Sequence, residues 1–172
     1  MGLVTLPHSG LQVPTARVRI TRIDEVDIGT GIAWSGTVRE GRKELGAFTN
    51  DGRGGATLFR AAGADGMRRM REFIAACRTA DGRSVDEEAV GDALAEEHEA
   101  ARMIAAAKRR GQSAMRAYDR IGTPAYLHIP VSPGPESVRE LADEIAQEAP
   151  SVMRAELWDD ARHTWVEIYR AD

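Results

Sequence analysis

Ile32-Ala33-Trp34-Ser35-Gly36-Thr37-Val38-Arg39-Glu40-Gly41-Arg42-Lys43-Glu44-Leu45-Gly46-Ala47-Phe48-Thr49 is the stretch on which the fold turns. Its first half alternates cleanly. Ile32, Trp34, Gly36 and Val38 share one side of a strand, and Ser35, Thr37 and Arg39 share the other. Glu40-Gly41-Arg42 then supplies a short turn with glycine where a left-handed residue is wanted. The chain returns from Lys43 with Leu45, Ala47 and Thr49 predicted on one face. A period of two on both sides of a glycine turn specifies a β-hairpin, so the N-terminal part is sheet.

Working outward, residues 17–27 read as a further strand. Val18 and Ile20 alternate with Arg17 and Arg19, and Ile23 and Val26 then break the period, as at a bulge or the start of a second short strand. On the other side, Asn50-Asp51-Gly52-Arg53-Gly54-Gly55 closes the hairpin, and residues 56–60 offer one more strand. The result is an antiparallel meander over residues 15–62.

The middle, residues 63–121, reads as a helical pair. Met67, Met70, Phe73, Ile74 and Cys77 form an apolar stripe, with Arg68, Arg69, Arg71 and Arg78 off it. Ser84 with Glu87 three residues later makes a capping box for a second helix. That helix is acidic early (Asp86, Glu87, Glu88, Asp92) and basic late (Lys108, Arg109, Arg110), in keeping with its dipole. Val90, Leu94, Ala101 and Ile104 mark its expected buried face, and the period extends through Gly111 to Met115 and Tyr118, as one long helix or as two with a kink.

Residues 122–172 read as a β-α-β-β unit. A strand spans residues 123–131, and Ser132-Pro133-Gly134-Pro135 leads into a helix carrying Val138, Leu141, Ala142 and Ile145. Pro150 stops it, and a hairpin turns around Asp159-Asp160-Ala161-Arg162. The fold class is therefore α+β, one domain or two halves, with Trp34, Phe48, Phe73, Trp158 and Trp165 as core or partner-facing anchors.

Composition bounds the function. An apolar fraction of 42% supports a packed core, and the lone Cys77 excludes an internal disulfide and fits a buried small hydrophobe. No basic leader or membrane-length apolar run is visible, so a cytoplasmic protein without membrane association is expected. The net charge of −4 is split unevenly. Residues 1–85 hold 13 Lys and Arg against 9 Asp and Glu, whereas residues 86–172 hold 10 against 18. Such a split gives surfaces of opposite sign and differs from the overall basic footprint of a general DNA binder.

The run Trp34-Ser35-Gly36-Thr37-Val38-Arg39, Gly41-Arg42-Lys43, Gly46 and Asn50-Asp51-Gly52-Arg53-Gly54-Gly55 resembles a pattern in small uncharacterised proteins of bacteria and their phages or plasmids. The resemblance covers residues 34–55. It implies a recurrent hairpin module and a phage or plasmid origin, and supplies no catalytic residue.

The motifs leave three functions open. Asn50, Asp51, Gly52, Arg53, Gly54 and Gly55 suit either an anion nest with Arg53 as its charged arm or a turn held by its own side chains. No lysine follows Gly55, so a Walker loop is excluded, and no strand–glycines–helix order supports a dinucleotide fingerprint. Arg68, Arg69 and Arg71 are the candidate nucleic-acid contacts, opposed by the acidic second half and by the lack of interleaved aromatics. Glu87, Glu96 and Glu99 form a candidate acidic surface for a basic protein partner.

Catalytic and metal signals are thin. Glu96-Glu97-His98-Glu99 lacks a second histidine four residues on, where Arg102 stands, so Glu97, His98 and Arg102 are expected to interact along the helix. His128, His163 and the Asp159-Asp160 pair are too scattered to specify zinc, and no metal or cofactor is expected. Ser35, Ser113 and Ser132 lack a nucleophile elbow. The favoured reading is a non-catalytic interaction protein, an inhibitor or adaptor that binds a protein partner. A phosphate-ligand enzyme or sensor and a nucleic-acid binder are the alternatives.

Overall fold

A computed structural model describes residues 2–122, 124–130 and 134–171. The architecture is α+β, and the chain divides into two compact units, Met1–Glu99 and Ala100–Asp172.

The first unit is built on a four-stranded antiparallel sheet in the order β3-β4-β5-β6: Val18–Asp27, Ile32–Glu40, Lys43–Asn50 and Leu58–Ala61. The meander read from the sequence is present, and of the two readings of its first strand the structure has the bulge: β3 is one strand whose register slips between Ile20 and Arg22. A second slip, between Val38 and Arg39, was not predicted: Val38 pairs with Gly46 and Arg39 with Glu44, leaving Leu45 as the extra residue. This bulge reverses the alternation of β5, so Leu45 and Phe48 are both fully buried where the simple period placed Leu45, Ala47 and Thr49 together. Two elements escaped the sequence reading altogether, the short paired strands β1 (Val4–Thr5) and β2 (Gln12–Val13).

Helix α1 (Ala64–Ala76) buries Met70 and Phe73 against this sheet. It approaches β5 so closely that a Cβ on Gly66 would lie 2.1 Å from the Leu45 carbonyl oxygen. The chain leaves α1 earlier than expected, because Arg78 bridges to both Gln12 and Ser84 in extended geometry. Phe48, Phe73, Leu45, Val38, Val90 and Leu94 make one continuous core, with Trp34 part-buried against it.

Helix α2 (Glu87–Arg109) begins behind Asp86, whose carboxylate accepts from the Ala89 amide at 2.9 Å. Asp86 is thus the cap, not Ser84. Glu87 has left the predicted capping box to accept instead from the Phe59 amide of β6 at 2.7 Å. In the first unit α2 buries Val90 and Leu94, whereas in the second it buries Ala100 and Ala107, leaving Ala101 exposed.

The helix does not run on through Gly111. Gln112 N donates to Ala107 O at 3.0 Å, Gly111 N donates to Lys108 O at 3.2 Å, and Gly111 holds φ 64°. That is a Schellman stop, which places glycine at the left-handed position and satisfies two of the last carbonyls. Residues 113–118 therefore form a strand, β7, where the sequence pattern reads as helix, continuous or kinked.

The second unit is a four-stranded antiparallel sheet, order β10-β9-β7-β8: Thr164–Arg170, Arg154–Asp159, Ser113–Tyr118 and Pro124–Ile129. Helix α3 (Pro135–Glu148) opens with its predicted proline and packs Leu141 and Ile145 onto Met115, Ala155 and Leu157. Of the strand predicted over residues 123–131, Thr123 and Val131 lie outside the described residues, as do Ser132 and Pro133 of the following turn.

Candidate functional site

Successive side chains of a strand point to opposite faces, so packing Met115 and Leu157 under α3 sends their neighbours to the other side. The register assembles that second face in rows. Tyr118 stands opposite Arg154, and Arg154 opposite Arg170. Tyr126 faces Arg116, Arg116 faces Glu156, and Glu156 faces Glu167. Trp158 pairs directly with Trp165.

At the centre of this face Arg116 Nε donates to Glu156 Oε2 at 2.5 Å, with side chains only 9% and 12% exposed. A buried ion pair needs more than its own attraction to offset lost hydration. Here the aromatic rings supply the packing. The Arg116 guanidinium lies 4.5 Å from the Trp165 ring centre and 5.5 Å from that of Tyr118, and Arg154 lies 4.0 Å from Tyr118. Trp165 in turn meets Trp158 at 5.2 Å, edge to face, and Tyr126 at 6.2 Å. Planar guanidinium groups stacked on rings form an ordered layer of part-exposed aromatics and cations.

On the helix-covered side of the same sheet lies a cleft of about 660 Å³, lined by Ile104, Lys108, Val138, Leu157, Trp158 and Asp160 among others. Lys108 Nζ reaches Asp160 Oδ2 at 2.6 Å across its rim. That hydrogen bond holds the Asp160 carboxyl below its ordinary range. His128 is engaged nearby, with Nε2 3.2 Å from the Met103 carbonyl and Nδ1 3.1 Å from Arg110.

The candidates named from sequence fall elsewhere. In the glycine loop, Gly52 N donates to Asn50 Oδ1 at 2.8 Å and Arg53 N to Asp51 Oδ1 at 3.0 Å, while Asn50 Nδ2 reaches Gly55 O at 3.0 Å. Two amides available to an anion nest are thus engaged by the loop's own side chains. The loop also abuts the β3–β4 turn, where a Cβ on Gly31 would sit 2.1 Å from Gly52 O.

Of the arginines on α1, Arg69 is committed to a two-pronged bond with Glu40 (2.8 and 2.7 Å) and Arg68 pairs with Asp65 at 2.8 Å, while Arg71 is exposed. The acidic residues of α2 are occupied too. Glu87 and Glu88 accept from the amides of Phe59 and Thr57, along the edge of β6. Glu96 and Glu99 are part-buried and engaged in interactions. Glu97 does not turn to Arg102: one oxygen accepts from His8 N, Ser9 N and Ser9 Oγ at 2.8, 2.6 and 2.9 Å, fixing the turn between β1 and β2.

No cluster of three potential metal ligands occurs among the described residues, and no described helix is long and apolar enough to cross a membrane. Cys77 is fully buried, and burial pushes its thiol up to about 12. The aromatic–arginine face itself was missed because Arg116 and Tyr118 were read as helix. Trp158 and Trp165, named as anchors, were its one visible signal. Comparisons with protein-family models, with curated proteins and with solved structures find no match.

Proposed function

We propose that this chain is a non-catalytic binding protein that takes a macromolecular partner on the aromatic–arginine face of its second sheet. One observation carries the reading: Tyr118, Tyr126, Trp158 and Trp165 are gathered with Arg116 and Arg154 on one face. Trp, Tyr and Arg are the residues that dominate binding energy, because each combines large contact area with a polar handle at low entropic cost. The buried Arg116–Glu156 pair preorganises Trp165, and preorganisation lowers the cost of association. A cytoplasmic inhibitor or adaptor from a phage or plasmid, covering its partner's surface, is the biological form of this reading.

The test is capture from the lysate of a GC-rich bacterium by the tagged chain and by its Trp165→Ala variant, with and without nuclease. A stoichiometric partner held by the native chain and lost with Trp165→Ala is expected. Equal capture by both would overturn the assignment of this face.

A further inference from the structure

Resting on that reading, we infer that the partner of this face is single-stranded nucleic acid. Three features of the second unit converge on it.

The first is the rings. Tyr118, Tyr126, Trp158 and Trp165 are all part-exposed on one sheet face. Every base has a π-face, so rings on a sheet bind unpaired bases by stacking with little regard to sequence. Duplex bases are already stacked on each other and offer such rings nothing.

The second is the cations. Among the described residues of the face, Arg116, Arg154 and Arg170 meet only two carboxylates, Glu156 and Glu167. With Arg170 bonded to Glu167 and Arg116 to Glu156, Arg154, 34% exposed and 3.7 Å from Glu156 Oε1, is the excess cation of the face. Guanidinium groups beside a stacking surface suit the phosphates that link the bases. The central carboxylate of the face, Glu156, is neutralised by Arg116, and Glu167 by Arg170.

The third is where the acid lies. The negative balance of the second half argued from sequence against nucleic acid. In the fold, Glu136, Glu140, Asp143, Glu144 and Glu148 are all exposed residues of α3, which packs on the opposite side of the sheet, with Arg139 as its only base. The acidic helix and the aromatic layer are on opposite sides of this unit. The interleaving of rings and bases sought in the sequence is produced by strand register instead.

The experiment uses the full chain and fluorescein-labelled 15-nucleotide single strands of mixed sequence, DNA and RNA, with the matching duplexes, read by anisotropy. Single strands are expected to bind more tightly than duplexes, with quenching of tryptophan emission. One phosphate contact, at Arg154, gives a log–log salt slope of about −0.7. Trp165→Ala should weaken binding about tenfold, with Trp165→Phe restoring most of it. Arg154→Ala should flatten the salt slope, and Arg139→Ala on α3 should change nothing. Thermal melting checks that each variant is folded.

No binding of any single strand at 50 mM salt, or binding indifferent to Trp165→Ala, overturns the inference. If a nuclease-resistant protein is instead captured through Trp165 while oligonucleotides do not bind, the binding face stands and its nucleic-acid partner falls. If Trp165→Ala alters neither capture nor oligonucleotide binding, both fall.

Discussion

Each unit rests on a four-stranded antiparallel sheet, yet the two place their charged side chains in different locations. In the first, carboxylates sit at the periphery and meet backbone amides: Glu87 and Glu88 cap the edge of β6, and Glu97 fastens the turn at His8 and Ser9. The sheet's inner face is left to Val38, Leu45 and Phe48. In the second, a carboxylate and a guanidinium stand at the middle of a sheet face, roofed by aromatic rings. Edge carboxylates that satisfy amides guard a fold against stray strand pairing. A charge pair at the centre of a sheet face buries hydration that an apolar pair would not have to lose, so stability alone gives no reason for its presence there. Under the proposed function, that contrast gives recognition to the second sheet and scaffolding to the first.

The largest effect should come from the first core. Phe48 is fully buried and meets Phe59 at 5.2 Å, so Phe48→Ala should cost about 4 kcal/mol in urea denaturation. A loss below about 1 kcal/mol would mean the first unit does not depend on this core. Next, Glu156→Gln leaves the Arg116 charge buried without its partner and should cost about 3 kcal/mol. The apolar double replacement Arg116→Met with Glu156→Leu should recover most of that stability while losing binding. If the double variant is as unstable as the single one, the pair is structural and the contrast between the sheets dissolves. Third, Gly66→Ala drives a methyl against the fixed Leu45 carbonyl and should cost about 2 kcal/mol, with no effect on binding.

These residues differ in how legible they were. The hairpin around Gly41 was readable because its alternation and its turn are local. Phe48 was legible as an apolar anchor, but Leu45 was grouped with Ala47 and Thr49 because it is itself the bulge residue that reverses the phase, and a bulge depends on the partner strand. Strand β7 was hidden for another reason. Ala114, Met115, Arg116 and Ala117 are good helix formers that continue the preceding period, and Gly111 alone marks the break. Arg116 becomes significant only through Glu156, 40 residues later, which local sequence does not reveal. The bonds of Glu87 and Glu88 were hidden for the same reason: helix periodicity shows a polar face but not the strand edge whose amides that face satisfies.

The smallest effect tests whether an arginine off the recognition face serves the scaffold. Arg69, one of the arginines first considered for phosphate contact, donates twice to Glu40, and those hydrogen bonds hold the Glu40 carboxyl below its ordinary value of 4.5. A carboxyl lowered on folding contributes stability that is full above its unfolded value and is lost as pH falls through the folded one. Both side chains are partly solvated, at 33% and 24% exposure, so the contribution at neutral pH is about 1 kcal/mol. Glu40→Gln should therefore be about 1 kcal/mol less stable than the native chain at pH 7. The gap should begin to close near pH 4.5 and vanish at lower pH, where Glu40 is protonated in both states. A gap that persists unchanged to low pH would show that the glutamine disturbs packing rather than charge. Single-strand binding by the same variant should match the native chain at pH 7, because Arg69 and Glu40 belong to the first unit and its scaffold.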